Sequence, residues 1–204
     1  MKSIVYTDGP YTYTARRENW GDGLNWYVKA WKSQSIALEL PNPNDGDPVH
    51  DGETCGTHAS FATLAELDAW MTDHRCGMVM DDFTLAYIEC ALCTTIDECE
   101  GSGGDTLDAA YDRDDLSSEL RAEIVEDCYG FLTIPSVQEA LVRAYATERY
   151  TASNAGHDFW LTRNHHGAGF WDRGLGEAGD ELSRWAHSFS SCDIYVGDDE
   201  KLYA

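Results

Sequence analysis

The stretch Gly156–Gly174, GHDFWLTRNHHGAGFWDRG, constrains the fold more than any other, because it crowds aromatics, charges of both signs and glycines into a short run. Its residue order predicts a β-hairpin. Strand side chains alternate, so Asp158, Trp160 and Thr162 fall on one face of a first arm and Phe159, Leu161 and Arg163 on the other. Asn164-His165-His166-Gly167 supplies the turn, since Asn and Gly adopt positive φ most readily. The second arm, Gly169–Arg173, returns with Phe170 and Asp172 on one side and Gly169, Trp171 and Arg173 on the other. Asp158 with Arg173, or Arg163 with Asp172, would then pair and hold the register, and cross-strand pairs contribute up to about 1 kcal/mol each. A lone hairpin is at best marginally stable, so the rest of the chain has to cover it.

The covering elements are set by periodicity. Ser3–Thr7 and Tyr11–Ala15 flank Asp8-Gly9-Pro10 and read as two strands about a turn; Trp26–Trp31 and Ile36–Leu40 extend them into a small antiparallel sheet. Arg16, Arg17, Lys29 and Lys32 beside Trp20, Trp26 and Trp31 have the makings of a stacking surface for a base or phosphate, although edge strands commonly expose Lys and bury Trp. Pro41–Glu53 is rich in Pro, Gly and Asn and marks a loop or boundary. Helices come next. Thr63 and Glu66 form a capping-box pattern before Leu64, Leu67, Trp70 and Met71. Asp82–Ile96 carries two apolar stripes and is expected to be buried on more than one side. Leu116–Leu132 places Leu116, Leu120, Ile124 and Cys128 on a buried line, with Glu119, Glu123, Glu126 and Asp127 outward. After Pro135, Ser136 with Glu139 caps a helix from Val137 to about Thr147. Glu177–Phe189 is a further helix, and Asp193–Val196 is a strand beside the hairpin. The class expected is α+β, with small antiparallel sheets, helices packed on one face and a central helical region. A β-rich region over residues 1–53 and an α+β region over 54–204 divide the chain, or merge into one domain.

Charge narrows function. The 37 acids against 14 bases leave a formal charge of −23, which repels phosphate backbones and anionic membranes. Twelve acids lie in one segment: Asp97, Glu98, Glu100, Asp105, Asp108, Asp112, Asp114, Asp115, Glu119, Glu123, Glu126 and Asp127, against only Arg113 and Arg121. That density directs the search for a partner to basic proteins. No apolar run of the length of a signal peptide or a membrane span occurs, so a cytoplasmic location in the host cell is expected. Seven cysteines, an odd number, in a reducing compartment do not suggest a disulfide framework.

HDFWLTRN..GAGFWDRG, together with AYIECALCTTIDE, LDAAYDRDDLSSELRAEIVEDC and a terminal YVGDD, resembles a family of tailed-phage and plasmid proteins. The resemblance spans roughly Asp82–Ala204. It implies a phage context and brings no activity with it. The family usually has Gly at the position of His165 and Trp at that of Cys93, which implies that neither residue is essential. His157, Asp158, Trp160, Arg163, Asn164, Gly167, Trp171, Asp172 and Arg173 carry the motif, in a structural or a functional role.

Chemistry-bearing patterns are sparse. Cys55-x-x-His58 and His74-x-Cys76 hold the residue types of a zinc site, without the spacing of a standard finger. No P-loop, dinucleotide fingerprint, GxSxG or HExxH is present, and no cofactor or metal is expected. The expectation is a non-catalytic phage accessory protein of the anti-defence kind. Its acidic, DNA-mimic-like surface would bind and inhibit a host nucleic-acid-handling protein, such as a restriction or CRISPR nuclease, without touching nucleic acid itself. The alternative is a small phosphate-directed hydrolase using His157, His166, Arg163 and Arg173.

Overall fold

In the computed structural model, described residues comprise the backbone of the strands before residue 80, residues 63–73, 80–98, 103–147 and 149–204. They divide into two compact units, Met1–Val79 and Met80–Ala204. The boundary expected after Glu53 lies outside the described residues. The chain is α+β: the described residues include six α-helices and small antiparallel sheets.

The first unit is built on a sheet of strands β1 (Ile4–Asp8), β2 (Tyr11–Asn19), β3 (Leu24–Trp31), β6 (Ala59–Phe61) and β7 (Gly77–Val79). They lie side by side in the order β6-β3-β2-β1-β7. As expected, β1 and β2 pair antiparallel, in the register Tyr6 opposite Tyr13. The strand expected over 36–40 does not join this sheet within its described part: β4 (Glu39–Pro41) pairs instead with β5 (Pro48–His50), inside the stretch read as a loop. Helix α1 (Leu64–Asp73) opens on the predicted box, Thr63 N–H donating to Glu66 and Glu66 N–H to Thr63 Oγ1, each at 3.2 Å. The side chains of the Arg16, Arg17, Lys29 and Lys32 cluster lie outside the described residues, as do those of Cys55, His58, His74 and Cys76.

The second unit packs around α2 (Asp82–Thr94), whose N-cap Asp81 accepts from Thr84 N–H at 2.9 Å. The two apolar stripes bury it on more than one side: Phe83, Tyr87, Ile88, Ala91 and Leu92 are all inside. Helix α3 (Ser118–Thr133) is capped by Ser117 and buries the expected line Leu120, Ile124 and Cys128. Helix α4 is Pro135–Tyr145, with Pro135 as its first residue and no side-chain cap. The Ser136/Glu139 box therefore does not form, because a proline at the first position already supplies helical φ and needs no N–H partner. Helix α6 is Glu177–Ala186.

The hairpin is where the structure corrects the sequence reading. Residues Ala152–Arg163 form helix α5, opened by Thr151 and Asn154, each bonding the other's backbone. A short 3-10 turn, Phe170–Asp172, stands in place of the second arm. Burial of Ala155, Phe159 and Thr162, with i, i+4 and i+7 spacing, suits a helix lying flat on α2. The two helices cross at Gly156, where a Cβ would stand 2.0 Å from the Phe83 carbonyl oxygen. Around that crossing the rings of Phe131 and Phe159 stack at 4.2 Å, and Tyr87 meets Trp160 edge-on at 5.3 Å. The final strand β8 (Tyr195–Val196) pairs with β9 (Leu202–Tyr203), since the hairpin it was to join does not exist. Leu202 O in turn accepts from Ser117 N–H at 2.9 Å, tying β9 to the start of α3. Among the described residues no helix is long and apolar enough to cross a membrane.

Cys90, Cys128 and Cys192 are buried free thiols. Burial is the largest cause in each case: it pushes Cys90 up to about 12 and Cys192 up to about 11, and raises Cys128 as well. Because the thiolate is the nucleophile, native alkylation at about pH 8 is expected to be slowed by two to three orders of magnitude relative to a free cysteine. Peptide-resolved iodoacetamide labelling with and without guanidinium checks this; equal labelling in both would show that these thiols are not inside.

Candidate functional site

Helix α5 ends in a set of polar side chains that hold other segments in place. Arg163, 2% exposed, donates through Nη1 to Tyr87 Oη at 2.9 Å and to Asp127 Oδ2 at 2.8 Å, and through Nε to the Ser190 carbonyl at 2.9 Å. Its guanidinium also faces the rings of Tyr87, Phe159 and Phe189 at 5.7–5.9 Å. Asn164 bonds its own helix through the Trp160 carbonyl and accepts the Cys192 N–H at 2.8 Å. Trp160 Nε1 donates to Thr94 Oγ1 at 2.7 Å, on the last residue of α2. One turn of α5 thus fixes both the end of α2 and the segment around residues 190–192.

Those two anchored segments form the walls of a groove of about 790 Å³, with Trp160, Asn164 and His166 between them. Thr94–Glu98 makes one side and Ser191–Val196 the other. Among the described residues, its ionisable lining groups are Asp97, Glu98, Asp193, Tyr195, Cys192 and His166, with no Lys or Arg. Asp97 and Glu98 of the acidic segment meet Trp160 and Asn164 of the motif here, although even the nearest pair, Glu98 and Trp160, is more than 60 positions apart in the chain.

The remaining motif residues lie around the end of α5 and the turn beyond it. Asp158, 1% exposed, accepts from Tyr150 Oη at 2.7 Å and from Arg173 Nη2 at 2.7 Å. The Asp158–Arg173 pair expected of a hairpin therefore forms, but between a helix and the turn after it. Burial, then the Asp158 carboxylate, raises the Tyr150 pKa, so this phenol stays a donor. The other expected pair, Arg163 with Asp172, does not form: Asp172 caps the turn by accepting Gly169 N–H at 3.1 Å. Gly169 lies where a Cβ would meet Thr162 Oγ1 and the Trp171 ring, each at 2.4 Å. His157 is half-buried on α5, Gly167 is exposed and Trp171 is 43% exposed. His165 stacks on His187 at 5.0 Å.

The acidic segment divides. Asp97 is buried, and Asp127 turns toward Arg163 instead of outward. A buried guanidinium with few other anions in reach explains that inward turn. Asp115 is half-buried and lies 3.7 Å from Lys201 Nζ. Glu98, Asp105, Asp108, Asp112, Asp114, Glu119, Glu123 and Glu126 are exposed, and Glu100 lies outside the described residues. Of the groups for a phosphate-directed hydrolase, His166 lines the groove, while Arg163 and Arg173 are held in ion pairs. Among the described residues no group of three or more His, Cys, Asp or Glu side chains converges on a metal position.

The signal missed in the sequence was Thr151-x-x-Asn154, a helix start just ahead of the motif. Asn in place of Glu or Gln disguises it as a turn. No family model matches the chain, and neither a curated protein nor a solved structure does.

Proposed function

We propose that this chain is a non-catalytic phage accessory protein of the anti-defence kind, whose acidic surface occupies the nucleic-acid site of a host protein such as a restriction or CRISPR nuclease. The observation that carries the reading is the outer face of α3. Glu119, Glu123 and Glu126 are exposed at i, i+4 and i+7, while Arg121 is turned back onto the Leu116 carbonyl at 3.0 Å. At about 1.5 Å rise per residue those carboxylates sit about 6 and 4.5 Å apart along the axis. One DNA strand presents a phosphate every 3.4 Å or so, so the stripe is sparser than DNA but of the same order. Exposed Asp105, Asp108, Asp112 and Asp114 extend the anionic surface before the helix. We further read the small sheets as each carrying helices on one face, which the placement of α1 beside β6 and β7 supports.

The test is inhibition of DNA cleavage by a panel of purified host restriction and CRISPR nucleases, at stepped salt. The wild type should inhibit at least one, with potency falling as salt rises. The triple substitution Glu119→Gln, Glu123→Gln, Glu126→Gln should weaken that inhibition about tenfold or more without changing the melting temperature. No inhibition across the panel, or inhibition indifferent to both salt and the substitutions, overturns the proposal.

A further inference from the structure

We propose that the groove between residues 94–98 and 191–196 receives an arginine or lysine side chain from a basic segment of the captured partner, with the apolar rim gripping its stem. The inference rests on the capture reading above and gives it a second point of contact. Its volume of about 790 Å³ falls within the usual range for a ligand site. Anions are poorly served there, since among the described residues no lysine or arginine lines it and Glu98 and Asp193 stand exposed on opposite walls.

The rim adds an independent observation. Ile96 is 52% exposed and Tyr195 55%, and they face the groove from opposite walls. Large apolar side chains at that exposure are uncommon among the described residues, and these two flank one opening. An aliphatic stem ending in a cation matches such a surface, because its methylenes can cover Ile96 and Tyr195 while its head stays near carboxylates. Arginine also stacks on aromatic rings, favouring Tyr195 as its platform. Arg163 bonds both Asp127 of α3 and the Ser190 carbonyl next to the Ser191–Val196 wall, so the acidic helix and the groove are tied through one side chain. That link argues for a residue of a bound protein over a free small amine.

The probe is fluorescein-labelled nona-arginine, with nona-citrulline as its uncharged isostere, followed by anisotropy at physiological salt. Nona-arginine should bind and nona-citrulline should not. Ile96→Ser and Tyr195→Ser, separately and together, leave the net charge unchanged and are exposed enough to preserve the fold, which a melting curve verifies. The double variant should weaken nona-arginine about tenfold, and Glu98→Gln with Asp193→Asn should do so to a similar degree. If the α3 triple variant loses binding while all groove variants keep it, the groove inference fails and the capture reading stands. Arginine methyl ester binding as tightly as the peptide would make this a small-cation site and overturn the proposal. If nona-arginine does not bind at all, the groove and the capture reading fail together.

Discussion

Gly156→Ala is expected to destabilise the second unit by about 3 kcal/mol or more, the opposite of what helix propensity alone predicts. In an isolated helix Ala is favoured over Gly by about 1 kcal/mol. At this position the new methyl would lie 2.0 Å from Phe83 O, 2.9 Å from its carbonyl carbon and 3.1 Å from Tyr87 N. These are backbone atoms of α2 and have no rotamer by which to step aside. The helices must move apart by more than an ångström, and the stacked rings of Phe83, Phe131 and Phe159 separate with them. Overpacking a rigid contact typically costs about 1–3 kcal/mol and occasionally more, and a loss of that size lowers the melting temperature by roughly 10 °C. Gly167→Ala is the control: with no atom within 4 Å of its Cβ position, it should fall within about 0.5 kcal/mol of wild type. A Gly156→Ala protein melting with the wild type would mean that α2 and α5 do not cross this closely.

Arg163→Ala is expected to cost about 3–5 kcal/mol, the range for removing one member of a buried ion pair. Several losses act together. The Ser190 carbonyl and the Tyr87 hydroxyl lose their donor, Asp127 loses its cation, and three rings lose the guanidinium they surround. Arg163→Lys should recover only part of this, because a single ammonium cannot reach a carboxylate on one side and a carbonyl on another as the planar fork does. The loss also has a local signature. The segment carrying Ser190 should loosen, so the Cys192 amide, which donates to Asn164, should exchange faster in hydrogen–deuterium measurements than the amides within α4. Unchanged melting together with unchanged Cys192 protection would refute the anchoring role. Because that segment forms one wall of the groove, destabilising it should weaken nona-arginine binding even under conditions where the protein remains folded.

These two residues mark the limit of what could be read from the chain alone. Helices α2 and α3 were legible because their apolar residues return every three or four positions, a local signal; the caps at Asp81 and Ser117 were added by the structure. Helix α5 was not, since nearly its whole circumference is inside. Ala155, Gly156, Asp158, Phe159, Trp160, Thr162 and Arg163 are all buried, which erases the contrast between faces that separates a helix from a strand. Adjacent Phe159 and Trp160 then resemble the two faces of a strand, although on α5 they address different neighbours.

The supply of carboxylates, their concentration between Asp97 and Asp127, and the helical periods of α2 and α3 were determined by sequence. Tertiary structure decided which charges face water. Asp97 and Asp127 turn inward, Arg163 and Arg173 are committed to partners, and the groove is assembled from residues 94–98, 160–166 and 191–196. The physical reason is range. Caps and helical periods are set by neighbours within one turn, whereas the pairing of a buried charge depends on which distant group is present when water is removed.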